Sequence, residues 1–282
     1  MGIWIPLVLF YGLAKGAREG LKKKALEKSS VIEVLFFHSV IALLLLLPFS
    51  KGIFTVSVIE HLLIFIKSFV IFIAWICAFT SIKKMPVSFY GIIDMARMLF
   101  ATVLAVCFLG EIMTLQKVIG LLLVLCGIVF VNIGHGEGET VKTKYLLISL
   151  LSCLLNAISG FMDKKLLTGG SLDSSKLQFW YMFYLTLLYG VYILLGRTKI
   201  RLSTVKNNYW IIILSVLFVI ADRALFIANE DPESQVTVMT LIKQSSVLVT
   251  VFCGKVFFKE KYILKRAICA AIVMIGIVVA TI

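Results

Sequence analysis

The sequence predicts an all-α membrane protein, with ten transmembrane helices arranged as two inverted five-helix repeats around a central cavity. Of its 282 residues, 61% are hydrophobic, whereas soluble domains are about 45–50% apolar. Apolar runs of helix length recur along the whole chain, and a helix satisfies its own backbone polar groups in lipid. The second half of the chain also repeats the pattern of the first, which is typical of membrane transporters.

Hydrophobic length and turn residues define the individual spans. The ten predicted spans are 3–26, 31–49, 57–82, 86–109, 115–134, 145–166, 177–196, 209–229, 233–258 and 263–282. No basic residue precedes the first apolar run, so we expect no cleavable signal peptide. The six cysteines lie in apolar stretches without a CxxC pair, which predicts no disulfide, no metal site and no cofactor.

A polar, glycine-rich stretch divides the chain nearly in half. We interpret 135–144 as a linker between a first repeat, 1–134, and a second repeat, 145–282. Five spans in each half is an odd number, so the second copy is predicted to run through the membrane in the opposite direction.

Two alignments between the halves support the repeat. An offset of 149 residues aligns Glu111 with Glu260 and Gly127 with Gly276. An offset of 141 residues aligns Lys23 with Lys164 and Lys24 with Lys165. Glycines and small residues such as Gly120, Gly127, Gly276, Ala270 and Ala271 suit close helix packing. They serve the fold in the preferred interpretation and a homodimer seam in the alternative.

Charged residues lie inside the predicted spans. The cations are Lys15, Arg18, Lys67, Arg97, Arg223 and Lys243. The carboxylates that accompany them are Glu19, Asp94 and Asp222. Such groups are costly in lipid and face a protein interior or a wet cavity. Internal ion pairs and snorkelling explain part of the set, and a polar substrate cavity of net positive potential explains the remainder.

The first span illustrates this choice, because Lys15, Arg18 and Glu19 interrupt it at mid-helix depth. We therefore interpret the segment 3–26 as one wall of a polar pathway. The substrate-binding residues predicted for that pathway are Arg97, Arg223, Lys243, Asp94, Asp222, Lys15, Arg18, His38, Trp75, Tyr90, Asn156 and Tyr184. At the 149 offset Asp94 aligns with Lys243, and we hypothesise that these two pair across the cavity.

A family resemblance follows from the end of the fourth span. The pattern Gly110-Glu111-x-x-Thr114-x-Gln116-x-x-x-Gly120, with Gly127 seven residues later, resembles the EamA-type drug/metabolite transporter superfamily. The resemblance covers the whole chain and implies ten spans in two repeats. It is nearly silent on the substrate.

These features together predict a secondary transporter that moves a small polar metabolite, anionic or zwitterionic, by alternating access. Two alternatives stay open: a flippase for a phosphorylated lipid headgroup, and a non-transporting membrane sensor or scaffold. The sequence contains no nucleotide-binding motif, so we do not expect ATP to drive transport. An enzyme is not expected, because the three histidines are well separated and no HExxH or GxSxG occurs.

The expected partners are a small-molecule substrate and the lipid bilayer, and not nucleic acid. The net charge of +13 is assigned to loops and pathway cations. Most loop lysines and arginines lie in the odd-numbered connections, which predicts these on the cytoplasmic side of a plasma (inner) membrane, with both termini outside. The family resemblance instead suggests that both termini lie inside. In that case the lysines that end spans one and six are interpreted as pathway residues and not as loop charges.

Overall fold

The computed structural model describes residues 3–49, 52–109, 113–132, 141–168, 172–196, 200, 203–231, 233–234 and 236–281. Within these ranges the chain forms α-helices, one short 3-10 turn and no strand. Glu111 and most of the predicted 135–144 linker lie outside the described residues.

The helices of the first half are α1 Trp4–Lys28, α2 Val31–Leu46, α3 Val58–Lys84, α4 Val87–Asp94, α5 Arg97–Leu109 and α6 Leu115–Asn132. Those of the second half are α7 Thr143–Thr168, α8 Ser174–Gly196, α9 Ser203–Asn207, α10 Trp210–Glu230, α11 Val236–Lys243, α12 Ser246–Phe258 and α13 Ile263–Thr281. Every predicted span contains helix, which confirms the all-α class. The short α9 was not predicted.

The described chain contains six stretches that are long and apolar enough to cross a membrane. They are Val31–Phe49, Val58–Lys84, Val87–Phe108, Thr143–Leu167, Ser174–Gly196 and Trp210–Glu230. Leu115–Val131 and Ser246–Phe258 are shorter apolar helices. Helix α1 carries too many charges to join the first group, but it continues unbroken for 25 residues. The chain is an integral, multi-pass membrane protein.

The fourth and ninth predicted spans are not single helices. The first breaks between α4 and α5 at Met95–Ala96, and the second breaks between α11 and α12 at Gln244–Ser245. At each break the backbone switches to i→i+3 bonds: Ala96 N–H donates to the Ile93 carbonyl at 2.9 Å, and Ser245 N–H donates to the Ile242 carbonyl at 3.0 Å. The two breaks lie 149 residues apart, which is the offset of the sequence repeat.

The helix contacts keep their pattern when the halves are exchanged. We match α1–α3 with α7, α8 and α10, and α4–α6 with α11–α13. Helix α1 packs on α10 and α12, and correspondingly α7 packs on α3 and α5. Helix α3 packs on α8, as α10 packs on α2, while the pairs α2–α8 and α6–α13 map onto themselves. Two repeats would produce such a pattern; the repeat boundaries and the inverted orientation stay predictions.

Glycines set the closest helix approaches. A Cβ on Gly12 would lie 3.0 Å from the Ile242 carbonyl oxygen, so α1 is pressed against the break before α12. A Cβ on Gly127 would lie 3.1 Å from the Cys269 carbonyl oxygen, at the contact of α6 with α13. Gly276 is equally tight against α6. The repeat glycines therefore pack α6 on α13 within the chain.

Two repeat-related lysines bind the ends of long helices. Lys23 Nζ donates to the carbonyl oxygens of Ile82, Lys83 and Met85 at 2.9, 3.2 and 2.7 Å, at the C-terminal end of α3. Lys164 Nζ donates to the carbonyl oxygens of Asn229 and Asp231 at 3.2 and 3.0 Å, and to Ser234 Oγ at 2.7 Å, at the end of α10. Both satisfy carbonyls that a helix leaves open at its C-terminus. Lys23 and Lys164 are structural, and the idea that they are pathway residues is wrong for these two.

Candidate functional site

A polar cavity lies between the two halves. Its volume is about 140 Å³, room for about five water molecules at about 30 Å³ each. Helices α1, α2, α3 and α5 of the first half and α7, α8, α10 and α11 of the second supply its walls. The break at Gln244 also reaches it. The cavity is thus a shared space of both halves, and neither half encloses it alone.

Eight of the twelve predicted site residues line this cavity: Lys15, Arg18, His38, Trp75, Arg97, Asn156, Asp222 and Lys243. The other four do not belong to the lining. Tyr90 is buried in the apolar core. Tyr184 places its hydroxyl 3.0 Å from Nδ1 of His61, and Arg223 donates through Nη2 to Ser175 Oγ. Asp94 lies behind the wall.

Asp94 is shared by two cations of the wall. Lys15 Nζ lies 2.5 Å from Asp94 Oδ2, and Arg97 Nη2 lies 2.8 Å from Asp94 Oδ1. All three are buried or nearly so, and they fasten α1 to both sides of the break between α4 and α5. The hypothesis that Asp94 pairs with Lys243 is wrong, because Lys15 and Arg97 take both carboxylate oxygens.

A second cluster joins the halves through Asp222. Arg18 Nη1 of α1 lies 2.8 Å from Asp222 Oδ1 of α10, and the Tyr181 hydroxyl donates to Asp222 Oδ2 at 2.8 Å. The Arg18 guanidinium also lies over the rings of Tyr11 and Phe218, 5.2 and 5.0 Å from their centroids. Such stacking favours a cation in an apolar wall.

A third cluster joins α3 to α7. Lys67 Nζ lies 3.1 Å from Asp163 Oδ1 and 4.2 Å from the centroid of the Tyr181 ring. Sequence reasoning missed Asp163, because it directly precedes the lysine pair that ends the sixth span. A signal was present: the 141 offset aligns Asp163 with Lys22, and both residues line the cavity.

Lys243 differs from these paired cations. Among the described residues it makes no ion pair and no hydrogen bond, and its Nζ approaches the Tyr11 ring at 5.9 Å from the centroid. Arg97 and Lys15 lie within electrostatic reach and repel it, while Asp163 attracts it. It is partly buried at the end of α11, next to the helix break.

Several buried polar atoms of the lining have no hydrogen-bond partner within the described part of the chain. They are Arg18 Nε, Arg97 Nε, Glu19 Oε2, Ser159 Oγ, Asp163 Oδ1 and Gln244 Oε1. Buried polar groups are almost always satisfied by protein, water or ligand. The cavity therefore presents donors and acceptors to whatever occupies it.

One wall of the cavity is aromatic. The His38 ring packs edge-on against Phe218, with centroids 4.8 Å apart, and beside Trp75 at 5.7 Å. His38 Nδ1 lies 3.0 Å from Ser215 Oγ. Trp75 and Phe218 also meet edge-to-face at 5.2 Å. This wall offers a fixed, largely apolar surface opposite the charged clusters.

Comparisons with known proteins agree with this architecture. The model of the EamA-like transporter family matches residues 2–133. A solved crystal structure superposes with a TM-score of 0.71 at 13% sequence identity, covering 97% of this chain and 96% of that chain. At such low identity the likeness shows a shared fold alone. No curated protein matches the sequence.

Proposed function

Because the chain belongs to the EamA-like transporter family through residues 2–133, we propose that this membrane transporter is a secondary carrier that moves a small polar metabolite by alternating access. The metabolite is anionic or zwitterionic, and the membrane is a plasma (inner) membrane.

The charged cavity between the halves is the observation that carries this proposal. Its cations are held by α1, α3, α5 and α11, and its carboxylates come from α1, α7 and α10. Buried charges without partners are costly, so a wall of this kind is maintained only where it has polar contents. A cavity that presents charged groups and unpartnered donors suits a polar solute.

Broken helices on both sides of a cavity also favour a carrier. In transporters with repeated halves, discontinuous helices commonly form the substrate site near the bilayer midplane. Here the α4–α5 break is fastened to the wall by Asp94, and the α11–α12 break contributes Lys243 and Gln244. Short helices joined by a turn can reorient more easily than one continuous helix.

Alternating access requires contacts between the halves that can be broken and re-formed. Two buried ion pairs cross from one half to the other: Arg18 with Asp222, and Lys67 with Asp163. A charged substrate competes for these partners, because its groups interact with the same side chains. Substrate binding and rearrangement of the halves are thereby coupled.

A flux assay with a matched pair of variants tests the proposal. Purified protein is screened for metabolites that raise its unfolding temperature, and each hit is tested for counterflow in proteoliposomes. Arg97→Gln removes a cation that lines the cavity, and Arg223→Gln removes one that does not. We expect Arg97→Gln to lose most counterflow and Arg223→Gln to retain it.

Two results would contradict the proposal, and a third would contradict the role given to the cavity. Ligand binding without flux in wild-type protein favours a sensor. Transbilayer movement of a fluorescent phospholipid without flux of any soluble metabolite favours a flippase. Equal loss of counterflow in both variants shows that the arginines act through stability and not through the cavity.

A further inference from the structure

The charges of the cavity do not balance. Within the described residues, six cations and four carboxylates form its walls and the layer directly behind them: Lys15, Arg18, Lys22, Lys67, Arg97 and Lys243, with Glu19, Asp94, Asp163 and Asp222. Three of the cations have a carboxylate of their own: Arg18 with Asp222, Lys22 with Glu19, and Lys67 with Asp163. Two positive charges are therefore left in excess.

The excess has a definite place. Lys15 and Arg97 share the single carboxylate of Asp94, at 2.5 and 2.8 Å, so this cluster carries one surplus charge. Lys243 carries the other, because no described carboxylate forms an ion pair with it. Lys243 is within electrostatic reach of Lys15 and Arg97, which repel it, and of Asp163 and Asp222, which attract it without forming an ion pair. The surplus belongs to one region, where α1 passes the two helix breaks.

The lining of the same cavity contains unused hydrogen-bonding capacity. Arg97 Nε and Ser159 Oγ are buried and have no described partner, and the three protons of a lysine ammonium are all donors. Ser159 is 1% exposed. Gln244 is 1% exposed, and its Oε1 is also without a described partner. Rotating the side-chain amide by about 180° would present its NH₂ donor at this position instead. Oxygen atoms of an anion satisfy this set.

From this balance we propose that the substrate is a dianion, of the class of small phosphate monoesters and dicarboxylates. Two negative charges neutralise the surplus beside Arg97 and Lys243. A zwitterion adds no net charge and a monocarboxylate adds only one, so each leaves a buried cation uncompensated. The aromatic wall of His38, Trp75 and Phe218 accommodates the uncharged part of the molecule. This inference rests on the proposed carrier function and narrows its substrate.

The test compares each dianion with an ester that removes one charge at nearly constant shape. The probes are succinate with monomethyl succinate, and phenyl phosphate with methyl phenyl phosphate, at pH 7. Binding to the full-length protein is measured by calorimetry in detergent. We expect at least one dianion to bind about tenfold more tightly than its ester, the usual effect of one charge-assisted contact.

Lys243→Gln tests where the second charge binds. In this variant the preference for the dianion should fall to within about threefold, because one surplus cation is gone, while the affinity for the ester changes little. Lys165→Gln is the control: it removes the same charge from an exposed position on α7 and should leave the preference intact.

The inference is overturned if both esters bind as tightly as their parent dianions, if none of the four probes binds, or if Lys243→Gln leaves the preference unchanged. Counterflow separates this failure from failure of the carrier proposal. A protein that transports a zwitterion or monoanion is still a carrier, although the dianion assignment is then wrong. A protein without flux of any metabolite loses the carrier function as well.

Discussion

Removing the unpaired cation of the cavity should stabilise the protein. Lys243 is partly buried and meets no described carboxylate. A buried polar group without a partner costs about 1–3 kcal/mol in mutational data, and water in the cavity reduces that cost for Lys243. Methionine retains the apolar packing of the lysine stem. We expect Lys243→Met to raise the free energy of unfolding by about 1 kcal/mol.

Lys67→Met is the matched comparison, since it makes the same chemical change at a paired cation. The Lys67 side chain is 3% exposed and lies 3.1 Å from Asp163. Its loss leaves the Asp163 carboxylate buried without its partner, which costs about 3–5 kcal/mol. The two variants should therefore shift stability in opposite directions, although each loses one lysine.

Unfolding in detergent, followed by the fluorescence of the four tryptophans, measures both effects. The reasoning would be refuted by a Lys243→Met variant that is as destabilised as Lys67→Met. That result would mean that Lys243 is compensated within the protein, and the surplus charge of the cavity would then be one and not two.

The remaining predictions concern the packing that holds the cavity. Glu260 accepts hydrogen bonds from the backbone N–H groups of Val87 and Ser88 and so caps α4 from the opposite half; Glu260→Gln should cost about 1–2 kcal/mol in denaturant unfolding, and an unchanged midpoint would contradict this. Gly16→Val should be more destabilising still, because a Cβ at Gly16 would overlap the Ser246 carbonyl oxygen of α12 and lie 2.5 Å from Val249 Cβ. Gly160→Ala is its control: a Cβ there meets nothing within 4 Å, so the helix should gain about 0.5–1 kcal/mol. Equal effects in both glycine variants would show that close approach is not what Gly16 provides.

The spans could be predicted from sequence because hydrophobic length depends on the lipid and not on neighbouring helices. The helix breaks could not. Neither Met95–Ala96 nor Gln244–Ser245 contains proline or glycine, the usual causes of an interrupted helix. Both breaks lie instead where α1 contacts them. Lys15 of α1 forms an ion pair with Asp94 at the first break, and Gly12 of α1 allows close approach of the backbone at the second. Tertiary contacts of this kind leave no local pattern.

The sequence predicted which residue types form the candidate site better than it predicted which way each side chain faces. Asp222 and Arg223 are adjacent, so they cannot share one face of α10. The sequence therefore implied that one of them faces elsewhere, without deciding which. The choice depends on the rotation of α10 against α1 and α8. In the structure Asp222 contacts Arg18 and Tyr181, whereas Arg223 contacts Ser175.

Positions related by the sequence repeat share some contacts and differ in charge. Lys23 and Lys164 are related by the repeat and do the same work at the ends of α3 and α10. The residues immediately before them differ in charge: Lys22 pairs with Glu19 of its own helix, whereas Asp163 pairs with Lys67 of the opposite half. An ion pair within one helix does not resist separation of the halves, and an ion pair between halves does. The wall at Asp163 is therefore tied to the opposite half by a charge pair, whereas the wall at Lys22 is not. The scaffold lysines are alike and their neighbours are not. Under the proposed alternating access, we therefore expect the energetic difference between the two proposed access states to depend on positions 22 and 163, one residue away from the repeat-related pair of lysine contacts.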